Sequence, residues 1–186
     1  MMSGGTAPGA FTTTASGMIA GTVFVTLLIA ACVTDVRTRR IPNRLVLWLA
    51  SLGILYSVAA HPWRTGAARA GEGLLLGLAL WLPFYLLHWL GAGDVKLFAG
   101  ASAWLGAGLA LRAALLAALF GGVLSLIWMA YTQGWWVTLV RVRHGLFDPM
   151  DSAGASPAAP GRRRIPYGLA MTAGLIAAAW LPQLLG

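Results

Sequence analysis

Apolar residues in this chain form long, nearly unbroken runs, not the narrow stripes or strict alternation of a water-soluble domain. Each run approaches the ~20 residues that carry a helix across a bilayer core. The pattern predicts helices over 17–34, 44–60, 71–90, 95–109, 112–131 and 166–185. The fourth is short, and its break from the fifth rests on GAG at 106–108 followed by Arg112. The count is therefore six spans, or five if 95–131 is continuous. Pro83 should kink the third helix, and Gly73 and Gly77 suit a close helix contact. The expectation is an all-α integral membrane protein, a single transmembrane domain over 1–186 without internal repeats.

The polar connections refine this picture. WWVTLVRVRHGLF (135–147) mixes aromatic anchors with Arg141, Arg143 and His144, which suits a helix lying at the membrane surface. Residues 148–160 are rich in Ala, Ser, Gly and Pro and read as a linker, and 161–164 lead back to the membrane. An N-terminus outside places Arg37, Arg39, Arg40, Arg44, Lys96, Arg141, Arg143 and Arg162–Arg164 in the cytosol. Arg64, Arg69 and Arg112 then lie outside, as the positive-inside rule favours. Residues 1–16 carry no charge and so lack the basic start of a signal peptide. The first span is expected to be an uncleaved anchor, with both termini periplasmic.

Composition narrows the function classes. Only 10% of the residues are charged, against ~25% in soluble domains. The net charge of +8 is spread in short clusters between apolar runs, a pattern for orientation and anionic lipid, not for nucleic acid. Cys32 is the only cysteine, so neither an internal disulfide nor a thiolate metal cluster can form. His61, His88 and His144 lie on separate segments, and no metal or other cofactor is expected.

The acids carry the candidate chemistry, because there are only five. Glu72 begins the third span, and Asp148 and Asp151 lie in the linker. Asp35 ends the first span and Asp94, in GAGDVKLFAG, ends the third. Both of these spans run from outside to inside, so topology brings both carboxylates to the cytosolic face. Each has a structural reading: Asp94 as the cap of the next helix, Asp35 paired with Arg39 or another nearby arginine at the membrane edge. Together they also form a catalytic device. Two like charges at one site cannot both ionise cheaply. One carboxyl stays protonated and donates to a carbonyl while the other takes a proton from water. Gly91 and Gly93 allow backbone conformations and close approaches closed to other residues. Lys96 either favours the ionised form of Asp94 or snorkels to headgroups. Pro42 and Asn43 end the loop after Asp35 and start the second helix, positioning Asp35 indirectly.

At these residues the chain resembles a known family. GAGDVKLFAGASAWLG (91–106) resembles the GxGD segment of bacterial type IV prepilin peptidases. DVRTRRIPNRL (35–45) resembles that family's first-aspartate segment, and RIPYGLA (164–170) its last-span opening, without the usual proline after the glycine. The resemblance implies an intramembrane aspartic endopeptidase that removes the basic leader of pilin precursors at the cytosolic face of the bacterial inner membrane. It makes Asp35 and Asp94 the catalytic pair, with Gly91 and Gly93 shaping the second aspartate's loop. Which aspartate is acid and which is base stays open. Long members of the family also carry a cytosolic segment, often with a four-cysteine zinc site, and methylate the mature pilin. Only 16 residues precede the first span here, so the chain looks like the short Tad/Flp-type peptidases, with an Flp-type prepilin and lipid as its partners. A related protease with another substrate, a transporter or channel using the acids as an ion site, and a purely structural subunit are the rival readings. Spacing says nothing of the oligomeric state.

Overall fold

The computed structural model describes residues 11, 14–38, 40–133 and 167–184. They form five helices: α1 (Ala15–Thr38), α2 (Asn43–Ala60), α3 (Trp63–Leu86), α4 (Ala92–Gln133) and α5 (Tyr167–Leu184). The chain divides into two compact units, Met1–Phe120 with Pro166–Gly186, and Gly121–Ile165. Of the second, only the last turns of α4 are described. The packing and the site below belong to the first. The surface helix and linker expected over 135–164 lie outside the described residues.

The all-α expectation stands, but six spans do not. Among the described residues three helices are long and apolar enough to cross a membrane: Ala15–Thr38, Asn43–Ala60 and the Ala92–Ile127 stretch of α4. A shorter apolar helix covers Gly168–Trp180. Two physical causes account for much of the difference. The expected fourth and fifth spans do part at the GAG triplet, but as two helices joined at a kink at Gly106 (φ 74°, ψ 170°) with no loop between them, so they form one long apolar stretch. The expected third span starts too late, because α3 already begins at Trp63. Its first turns hold Arg64, Arg69 and Glu72, and the uncharged remainder, 73–86, falls short of the ~20 residues a bilayer core requires.

The first half of α4 is the centre of the bundle. From 95 to 106 every residue is buried except Lys96. Small residues let the other helices approach it closely, as in membrane helix pairs. The inward stripe of α3 is Gly66, Ala70, Gly73, Gly77 and Trp81. A Cβ on Gly77 would stand 2.6 Å from Ser102 Oγ, and one on Gly73 would strike the Ser102 carbonyl. On α1 the buried positions Gly17, Ala20, Gly21, Phe24, Leu28 and Ala31 recur every three or four residues. Towards the start of α1, Phe11 packs its ring against Phe24, Tyr56, Trp104 and Trp180. Large apolar side chains such as Met18, Ile19, Leu47, Trp48 and Leu75 remain exposed, a surface that suits lipid better than water.

The break in α4 is held by its neighbours. A non-glycine residue is strained at the Gly106 conformation, and a Cβ there would also stand 2.9 Å from Arg69 Cγ. Carbonyls near a helix interruption need new donors. Arg69 Nη2 donates to the Leu105 carbonyl at 2.9 Å, and Ser57 Oγ to that of Ala103 at 2.9 Å. Trp104 Nε1 returns a bond to the Leu49 carbonyl at 2.8 Å. These bonds tie α2 and α3 to the central helix beside its break.

Candidate active site

Asp35 lies in the last turn of α1, which continues past it to Thr38. It follows Phe24, Leu28 and Ala31 at the same three-and-four spacing, so it extends the buried stripe and is half-buried itself. The stripe faces α5, against which α1 packs. In the first turn of α5 the neighbour is Gly168. A Cβ on Gly168 would stand 2.7 Å from Asp35 Oδ2, 3.2 Å from Cγ and 3.4 Å from Cβ. The Asp35 carboxylate thus occupies the space that any side chain at 168 would need.

Asp94 is positioned by its own loop. Gly91 accepts the first bonds of α4, from Asp94 N at 3.1 Å and Val95 N at 3.4 Å. Gly91 is therefore the residue at the helix cap, and Asp94 sits third inside the helix. From there its carboxylate turns back beside Gly91, the placing of the acid in a capping box. The expectation of Asp94 as the cap residue is corrected by three positions, because an acid in the first turn reaches the free amides from inside the helix. A Cβ on Gly91 would stand 3.3 Å from Asp94 Oδ2.

The chain is delivered to Gly91 by a tight helix end. His88 adopts φ 59°, the left-handed position that usually falls to glycine. Trp89 N bonds the Phe84 carbonyl and His88 N that of Tyr85, both at 2.9 Å. The Phe84 and Trp89 rings meet at 6.0 Å. Bonds and ring contact together are a Schellman end with its apolar clasp. His88, for which the sequence offered no surroundings, belongs to this turn.

The two aspartates converge. Asp35 ends α1 and Asp94 begins α4 at the same end of the bundle, and two carboxylates held near each other cannot both ionise cheaply. Their loops also touch. Ile41, in the turn after Asp35, packs over Gly93, where a Cβ would stand 3.4 Å from Ile41 Cβ. Pro42 caps α2 at φ −63°, ψ 130°, and its carbonyl accepts Leu45 N at 3.0 Å and Val46 N at 3.3 Å. Asn43 is the first residue of α2 and is exposed. Lys96 is exposed between buried Val95 and Leu97, on the outer side of α4. Among the described residues no group of three or more His, Cys, Asp or Glu is placed to hold a metal ion.

Sequence reasoning passed over Gly168 and Ile41. Both lie inside segments that the resemblance singled out, RIPYGLA and DVRTRRIPNRL. Their signal was their place there, a glycine just after the proline that precedes a helix and an apolar residue between a basic run and Pro42.

The Type IV leader peptidase family profile matches residues 22–126, which include both aspartates and Gly91 and Gly93 but not Gly168. The chain is 30% identical over 116 residues to a prepilin leader peptidase/N-methyltransferase of Pectobacterium carotovorum subsp. carotovorum, covering 57% of this chain and 40% of that protein. It is 31% identical over 96 residues to a protein of the same description from Klebsiella pneumoniae, covering 48% of this chain and 41% of that one. The matches thus span about two fifths of the length of these relatives. No solved structure matches the chain. With the family profile covering more than half of the residues, Asp35 and Asp94 among them, this membrane-embedded chain belongs to the type IV leader peptidase family.

Proposed function

We propose that the chain is an aspartic endopeptidase that removes the leader peptide of a type IV prepilin, of the Flp class, at the cytosolic face of the bacterial inner membrane. The observation that carries this reading is that the loop after Asp35 packs onto the loop of Asp94 at one end of the bundle, through Ile41 over Gly93. Family membership and the names of the relatives supply the substrate class. Loop basicity supports the cytosolic orientation.

The chemistry follows from the pair. One carboxyl, protonated, donates to the scissile carbonyl oxygen while the other, ionised, takes a proton from water. The hydroxide so formed attacks the carbonyl carbon, giving a neutral tetrahedral adduct. Its collapse breaks the C–N bond as the leaving nitrogen takes up a proton, and the pair returns to its starting state. No covalent intermediate with the protein is needed. A precursor whose leader is basic and whose mature part begins with an apolar helix presents its cut at the lipid boundary, where these carboxylates sit at helix ends. Asp35 and Asp94 are interchangeable in this scheme.

The test is cleavage of an Flp-type prepilin co-expressed with the native chain, Asp35→Asn or Asp94→Asn, at matched membrane levels. Asparagine keeps size and hydrogen bonding but cannot titrate. Cleavage by the native chain and by neither variant is the expected result. Native-rate cleavage by either variant would remove that aspartate from the mechanism.

A further inference from the structure

We infer that Gly168 is the seat of Asp35: the absence of a side chain at the start of α5 fixes where the Asp35 carboxylate stands, and thereby sets the rate of the proposed cleavage. The inference rests on the peptidase reading for its effect on rate, but on geometry alone for the seat.

Glycines in this fold meet two kinds of obstacle. At Gly66, Gly73 and Gly174 an added Cβ would strike backbone, at Gly174 the Ala117 N at 2.5 Å and Cα at 2.6 Å. Backbone there cannot yield without shifting a helix, so these glycines serve packing. At Gly168 the first atom met is the tip of a side chain, Asp35 Oδ2 at 2.7 Å, with Cγ and Cβ just behind at 3.2 and 3.4 Å. A methyl group at 168 therefore leaves α1 and α5 in place and turns the carboxylate away. Folding loses little and the geometry of the pair loses much. Gly168 contributes no group to the reaction and acts only through where it leaves the Asp35 carboxylate, so it is a positioning residue. A misplacement of about 1 Å in a catalytic group costs roughly 100-fold in rate.

The experiment compares the native chain, Gly168→Ala and Gly108→Ala in purified membranes. Gly108 has open space around it and controls for the substitution itself. Two readouts are taken: cleavage kinetics on an Flp-type prepilin, and the rate at which dicyclohexylcarbodiimide modifies Asp35 and Asp94, followed by mass spectrometry. For Gly168→Ala the expectation is native membrane abundance, kcat lower by roughly 10- to 100-fold, and KM within about twofold, as for a group acting in the transition state. Labelling of Asp35 should change several-fold while that of Asp94 stays near native. Gly108→Ala should match the native chain in every readout. Native labelling of Asp35 in Gly168→Ala overturns the seat, and so does failure of that variant to accumulate, since Gly168 would then serve packing like Gly174. If the native chain cuts no prepilin, the peptidase reading falls, and the labelling still decides the seat.

Discussion

Asp35 and Asp94 arrive at the same place by opposite routes. Asp94 is held locally: it lies in the first turn of its helix, and Gly91, three residues earlier, caps α4 and sits beside its carboxylate. Asp35 lies in the last turn of its helix, and its carboxylate fits against Gly168, from the far end of the sequence. One carboxylate comes with its support, and the other depends on how α1 and α5 pack. Substitutions around Asp94 should therefore act through a loop, and substitutions around Asp35 through a helix contact.

The comparison breaks most severely if the carboxyls themselves are altered. Asp35→Asn and Asp94→Asn should each lower prepilin cleavage by on the order of 1,000-fold or more. The double variant should be hardly worse than either single one, because groups that act as a unit are non-additive. Single-turnover assays on all three variants check this, and a multiplicative double loss would mean that the acids act separately. Cleavage by the native chain should also show two limbs against pH, one for each protonation change of the pair.

The contrast between the two seats is sharpened by matched glycine substitutions. Gly168→Ala brings a Cβ to 2.7 Å from a carboxylate oxygen, whereas Gly91→Ala brings one only to 3.3 Å. The second contact is relieved by a few tenths of an ångström. Gly91→Ala should cost less than about tenfold in kcat, against the roughly 10- to 100-fold expected at Gly168. Side-by-side kcat values test the order, and an equal or reversed order would refute the local-versus-distant distinction.

The smallest expected effect lies in the turn that leads to Asp94. His88 is the only non-glycine among the described residues with positive φ. Glycine accepts that conformation without steric cost. His88→Gly should therefore keep cleavage within about twofold and leave stability equal or higher by up to about 1 kcal/mol. Thermal unfolding in detergent reads this out. A large loss of activity with unchanged stability would instead give the imidazole a part in the chemistry.

Much of this protein was legible in the sequence, for identifiable reasons. Helices α1, α2 and α5 begin and end within a few residues of the apolar runs that predicted them, because in these segments composition changes abruptly at the helix ends. The count of spans was not legible. In α3 the charged first turns are helical although they are not apolar, so hydropathy placed the start at 71 and the helix begins at Trp63. At Gly106, inside the marked GAG triplet, two helices meet at a kink with no loop between them. A GAG triplet marks such a break but does not say whether a loop or a kink follows.

The sequence by itself determined which residues are chemically exceptional: two carboxylates among long apolar runs, with glycines and proline beside them. It also placed Asp94 at the start of a helix, although the cap itself is Gly91, three residues earlier. Only the tertiary structure decided that Gly168 faces Asp35 and that Ile41 covers Gly93. Those relations join α1, α4 and α5 over more than a hundred residues of chain. They depend on how closely glycine and alanine stripes let the helices approach, and no local pattern records that distance.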